Sequence, residues 1–118
     1  MPTLESRLQS LLLLRAPAVI PNMRLFRRNV AKVRIQNRKM TFGVKGQSDV
    51  YGIIRGGRII ELELKAANGK LSEDQLAWRA WCLDNLVPHL VLTARSYESP
   101  AVTVERWLDE IRNTLLQF

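Results

Sequence analysis

Residues 48–65 read SDVYGIIRGGRIIELELK, two apolar runs separated by RGG. β-Branched and aromatic residues on both sides of a glycine pair signal a β-hairpin, because glycine enters the positive-φ turn without a Cβ clash. Side chains alternate along a strand, so Glu61, Glu63 and Lys65 share one face of the second run, while Ile60, Leu62 and Leu64 share the other and need a core. The loop length decides what the charged face meets. A three-residue loop pairs Ile54 with Arg58 and brings Asp49 opposite Glu63, with Cβ atoms ~5 Å apart. A two-residue Gly-Gly loop shifts the register by one and sends the two acids to opposite faces.

Like charges held opposite one another are destabilising, and three things compensate them: a shared proton, the amine of Lys65, or a bound cation. Oxygen donors with no His or Cys nearby select a hard divalent ion, Mg²⁺ or Mn²⁺, which keeps several waters and also takes phosphate oxygens. Such an ion polarises a phosphate and lowers the pKa of a bound water, and Lys65 then orients the nucleophile or steadies charge on the phosphoryl oxygens. The competing reading is an exposed face of mixed charge, with Glu63 and Lys65 as a weak surface pair.

Outward from the hairpin, GKLSEDQLAWRAWCLDNL opens with a capping box, Ser72 and Gln75, and has Glu73 and Asp74 in its first turn. A helix is expected there, then a short strand in VPHLVLTAR and an amphipathic helix through Val104, Trp107, Leu108, Ile111 and Leu115. Strand, helix and strand in succession make a parallel crossover, so the sheet is mixed. Before the hairpin, Thr3 caps a helix carrying Leu4, Leu8, Leu11 and Leu12, which the Ala16-Pro17 pair is expected to close. Glu5 lies at the border of that apolar stripe. Residues 22–41 alternate loosely between apolar and basic side chains, as strands with one basic face do.

The 118 residues, 47% hydrophobic and 25% charged, suit one domain, 1–118, with a single core. The fold class expected is α/β (α+β), a mixed central sheet flanked by helices. No stretch reaches the ~20 apolar residues of a membrane span, and a cytoplasmic location is expected. The lone Cys82 has no partner for a disulfide or a zinc site and reads as a buried thiol. His89, beside Pro88, reads as structural. The net charge of +7 is unevenly spread: residues 6–48 hold ten Arg and Lys and no acid, against eight basic and eleven acidic residues elsewhere. A self-repelling block of this kind points to a polyanion such as a nucleic-acid backbone.

Together these motifs carry a family resemblance: GVKGQSDVYGIIRGGRIIELELKAANGKLSEDQLAW closely resembles the core of the VRR-NUC domain, a branch of the PD-(D/E)xK nucleases related to Holliday-junction resolvases. The resemblance implies a restriction-endonuclease-like core and a site built from the Asp of G-x-S-D, the E-x-K of the next strand and the Gln heading the following helix. Those positions are Asp49, Glu63, Lys65 and Gln75. It further implies Asp49, Glu63 and the Leu64 backbone carbonyl as ligands of Mg²⁺ or Mn²⁺, with Glu5 from the first helix completing the set. Gln75 is explained equally by the capping box, and Glu61 either edges the site or pairs with a nearby Arg. The implied activity is Mg²⁺-dependent cleavage of branched DNA such as Holliday junctions by a phage or bacterial homodimer. Arg24, Arg27, Arg28, Lys32, Arg34, Arg38, Lys39 and Lys45 would grip the backbone. The alternatives are a non-catalytic nucleic-acid-binding module of the same fold and a general or restriction-type nuclease on linear duplex.

Overall fold

The computed structural model describes residues 3–28, 32–35, 38–41 and 44–117, with the backbone alone at 32–35 and 38–41. The elements are α1 (Leu4–Val19), β1 (Arg24–Arg27), β2 (Lys32–Ile35), β3 (Arg38–Thr41), β4 (Val50–Ile54), β5 (Arg58–Lys65), α2 (Glu73–Asp84), β6 (His89–Thr93) and α3 (Pro100–Leu115). Strands β1, β4, β5 and β6 form one sheet in that order, and β2 pairs with β3 in a separate antiparallel ribbon.

The central hairpin has the three-residue loop. Ile54 pairs with Arg58 and Val50 with Leu62, and Asp49, just ahead of β4, comes beside Glu63. Gly56 and Gly57 turn the chain at φ values of 84° and 73°, a region that side chains with a Cβ avoid. β1 adds antiparallel to β4, with the Phe26 and Tyr51 rings stacked at 5.4 Å. β6 runs parallel to β5, with Glu63 beside Val91, as the crossover through α2 requires. The sheet is thus mixed, as expected.

One face of the sheet holds the apolar core. Ile60, Leu62, Leu64 and Leu92 pack with Leu8, Leu12 and Ala16 of α1 and with Val104, Trp107, Leu108 and Ile111 of α3. α1 starts at its Thr3 cap but runs past Pro17 to Val19, where it was expected to close at Ala16-Pro17. A proline in the last turn forfeits one intrahelical hydrogen bond. Ala16 is fully buried in the core, and its carbonyl accepts from the Ile20 N–H at 2.9 Å, so the last turn holds. Trp107 donates its indole N–H to the Thr93 carbonyl at 3.1 Å, tying α3 to the end of β6.

The other face, with Glu61, Glu63, Lys65 and His89, is covered by α2. Glu61 and Glu63 are each only 2% exposed, which rules out the reading of this face as a solvated, mixed-charge surface. Among the described residues, no helix is long and apolar enough to cross a membrane.

Candidate active site

Glu63 lies in the middle of the covered face of β5. Its Oε1 accepts from Gln75 Nε2 at 2.7 Å and lies 3.8 Å from Lys65 Nζ. Its Oε2 is buried and has no hydrogen-bond partner among the described residues. Burial, and then the nearby Asp49 carboxylate, push the Glu63 pKa up to about 7, while the Lys65 ammonium pulls it back. Asp49 is held from the strand side, its Oδ2 accepting from the Leu64 N–H at 3.2 Å. The Lys65 carbonyl and the Glu61 amide bond toward β6, so the amide and carbonyl of the intervening Leu64 both point the other way, toward Asp49.

Two neighbouring segments bring the remaining expected residues here. The loop 44–48 crosses the start of α2 so closely that a Cβ on Gly46 would lie 2.2 Å from the Asp74 carbonyl oxygen, and Gly46 has φ +86°. Only glycine fits at that crossing. Gln75 serves both readings given to it: its backbone N–H and Oε1 complete the capping box with Ser72, while Nε2 holds Glu63. Glu5, at the exposed start of α1, lines a cavity of about 230 Å³ together with Asp49, Leu64 and Gln9. Asp49, Glu63, Lys65 and Gln75 are therefore gathered in one place, and Glu5 meets that group at Asp49, the one of the four that lines this cavity.

Among the described residues, no three His, Cys, Asp or Glu side chains are grouped to hold a metal ion by themselves. An ion here would rest on two carboxylates and a main-chain oxygen, with water or phosphate filling the remaining positions. Magnesium favours such an arrangement, and the unpartnered Glu63 Oε2 is the observation that fits one.

Glu61, two residues earlier, is compensated internally. Arg28 grips it with both terminal nitrogens, at 2.6 and 2.9 Å, and Trp78 Nε1 donates to it at 2.9 Å. The guanidinium lies 4.6 Å from the centre of the Tyr51 ring. Arg28 Nη1 also reaches the Ser48 carbonyl at 3.3 Å, and the Arg28 amide donates to the Asp49 carbonyl at 2.8 Å. Arg28, expected on the DNA-gripping surface, thus points inward and braces the segment that presents Asp49. Of the two readings of Glu61, pairing with an Arg holds, but which Arg was missed because nothing in the spacing of residues 28 and 61 announces their meeting.

His89 is buried, with Nε2 3.1 Å from Ser48 Oγ, and burial, then Arg79, lower its pKa. Burial raises the buried Cys82 thiol to about 11, so it is a packing group rather than a nucleophile. Of the basic residues expected on DNA, Arg24 and Arg27 are exposed on β1, and Arg27 reaches Ser10 Oγ at 3.1 Å. Lys45 is exposed and makes a loose pair with Asp74 at 3.7 Å. The side chains of Lys32, Arg34, Arg38 and Lys39 lie outside the described residues.

Two measurements follow from this contrast. Arg28→Met leaves Glu61 buried without its counter-charge and should cost roughly 3–5 kcal/mol in urea unfolding. Adding Glu61→Leu should recover most of that loss, and a double variant no better than Arg28→Met would contradict the pairing. Glu63 binds its proton more tightly folded than unfolded, so its stabilising contribution is full below about 4.5 and is lost as pH rises through about 7. In chelator, Glu63→Gln should match the parent near pH 4.5 and exceed its stability by roughly 1–3 kcal/mol at pH 8. A gap that stays constant with pH would exclude a raised Glu63 pKa.

No protein-family model matches the chain, and no curated protein does either. Among solved structures, a crystal structure of paFAN1 bound to 2nt 5'flap DNA with gap aligns at a TM-score of 0.41 and 24% identity, over 46% of this chain and 10% of that one. A VRR_NUC domain structure aligns over 94% of this chain and 96% of its own length, with a TM-score of 0.57 and 19% identity. The mixed four-stranded sheet, its three helices and their order therefore make up the VRR_NUC fold.

Proposed function

We propose that this protein is a divalent-metal-dependent endonuclease that hydrolyses phosphodiester linkages in branched DNA such as Holliday junctions. The observation that carries this reading is Glu63, a buried carboxyl with one unpartnered oxygen, set against Asp49 and 3.8 Å from an ammonium. A strand residue has no structural need for that arrangement. A site that must receive a cation and a phosphate does.

Asp49, Glu63 and the Leu64 carbonyl would hold Mg²⁺ or Mn²⁺, with Glu5 facing the same cavity. Once bound, the ion would supply Lewis acidity to a phosphate oxygen and make water acidic enough to attack at neutral pH. Gln75 keeps Glu63 Oε1 occupied, which leaves Oε2 for the incoming charge. The Leu64 N–H does the same for Asp49 Oδ2 and fixes that carboxyl's orientation. Lys65, 19% exposed and 3.8 Å from Glu63, would turn its ammonium to a phosphoryl oxygen as negative charge builds there. Water would add to phosphorus, the P–O bond to one sugar oxygen would break, and the departing oxygen would take up the proton that the water gives up.

Arg24, Arg27 and Lys45, together with Lys32, Arg34, Arg38 and Lys39, would neutralise backbone phosphates, giving affinity that falls steeply with salt and carries little sequence preference. We also propose a two-fold homodimer, which would present two sites to a two-fold junction. Trp81 at 56% exposure, Leu83 at 41% and Leu86 at 79% offer apolar area at α2 and just beyond it for a second copy to cover.

Purified protein with a labelled four-way junction and Mg²⁺ should produce nicked strands. Lys65→Ala should slow nicking by roughly 10²–10³-fold while gel-shift affinity stays within a few-fold. Binding without any cut product in Mg²⁺ or Mn²⁺ would identify a non-catalytic module. Equal cutting of the junction and its component duplexes at one salt concentration would identify a general nuclease. Sedimentation at the mass of one copy under the same conditions would remove the dimer.

A further inference from the structure

Two cavities adjoin Glu5 and Leu64. The polar one contains Asp49. The second, of about 120 Å³, lies between the first turns of α1, the residues that follow Leu64 and the loop that leaves β6. Leu4, Leu8, Ala67, Ala94 and Trp107 line it with hydrocarbon and an indole, and Lys65 and the exposed Arg95 border it as well. Two acids are among its lining residues: Glu98 is neutralised in place, with Arg106 Nε and Nη2 donating to it at 3.0 and 2.7 Å, and the exposed Glu5 also borders the polar cavity.

We infer that this second cavity receives a single unpaired nucleobase of the strand being cut, next to the scissile phosphate. The inference rests on the endonuclease reading above and adds to it a source of selectivity for branched DNA. Four features of the cavity favour a base. Its walls suit the apolar faces of a heteroaromatic ring, which phosphate and sugar do not offer. Its size admits one ring system and excludes a base pair. Two cations, Lys65 and the exposed Arg95, stand beside it, as a strand of nucleic acid requires, and Glu98 is already spent on Arg106. Leu64 and Glu5 line both spaces, so a nucleotide with its phosphate in the polar cavity has a neighbouring base within reach of the apolar one.

A paired base reaches the cavity only by leaving its stack and its partner, which is unfavourable. A base already unpaired at a branch or flap does not incur that cost. The cavity would thus favour branched over continuous DNA without reading sequence, much as stacking sites do elsewhere.

The test places 2-aminopurine, a fluorescent adenine analogue, singly at each position within three nucleotides of a branch point, and then replaces the responsive nucleotide by an abasic site. At one position, protein should change the fluorescence, and the abasic substitution there should slow nicking at least tenfold. Ala67→Phe, which fills the cavity, should remove the fluorescence change and bring the ratio of branched to continuous-duplex nicking toward one. Nicking with no fluorescence response at any position, or equal nicking of the base-bearing and abasic branches, overturns the cavity assignment and leaves the endonuclease reading standing. A response that survives Ala67→Phe moves the base elsewhere and also overturns it. A fluorescence response with no nicking of any substrate keeps the cavity and overturns the endonuclease. The abasic comparison uses the unaltered protein, so the outcome does not depend on the variant folding.

Discussion

Burying carboxylates on the inner face of β5 is the constraint around which the rest of this molecule is arranged. Glu61 and Glu63 are two residues apart on one strand and equally shielded from water, yet they are treated differently. Glu61 has a bidentate guanidinium and an indole N–H, which together satisfy both of its oxygens. Glu63 has one amide donor, a distant ammonium and an opposing carboxyl, and one of its oxygens is left over. A buried charge is tolerated only when paired and hydrogen-bonded. The same strand therefore carries a finished ion pair beside an unfinished one, and the unfinished one is where we propose the chemistry takes place.

The finished pair also has a use. Arg28 holds Glu61 with both terminal nitrogens, and its Nη1 and its own amide also reach the Ser48 and Asp49 carbonyls. Asp49 thus approaches Glu63 on a segment pinned from β1, from the Leu64 amide and by the Gly46 crossing over α2. Two carboxyls that repel each other need that many anchors to stay together. α2 contributes in a similar way, since the residue that caps its first turn, Gln75, is also the residue that holds Glu63. The helix cannot shift without releasing the site.

Much of this was legible in the residue order. A glycine pair between β-branched runs set the hairpin, and its loop length set the pairing of Ile54 with Arg58 from which the opposition of Asp49 and Glu63 follows. Ser72 and Gln75 placed the start of α2, and strand, helix and strand in series made β6 parallel. Less legible was anything that depends on segments far apart in sequence. Pro17 was expected to stop α1, but burial of Ala16 against the core carried the helix on to Val19. Arg28 was expected outside among the other cations and lies inside instead.

By itself, then, the sequence determined the main elements, their order, the two registers open to the hairpin and the residue types available for chemistry, because turn stereochemistry, capping and side-chain alternation act over a few bonds. Only the tertiary structure decided which charges are spent and which are left. Residues 28 and 49 lie just outside β1 and β4 while 61 and 63 sit on β5, and whether a carboxyl meets a guanidinium, an amide or another carboxyl depends on how the sheet and α2 close over it. Solvation and Coulomb energy respond to distance in space, and local rules along the chain do not set that distance.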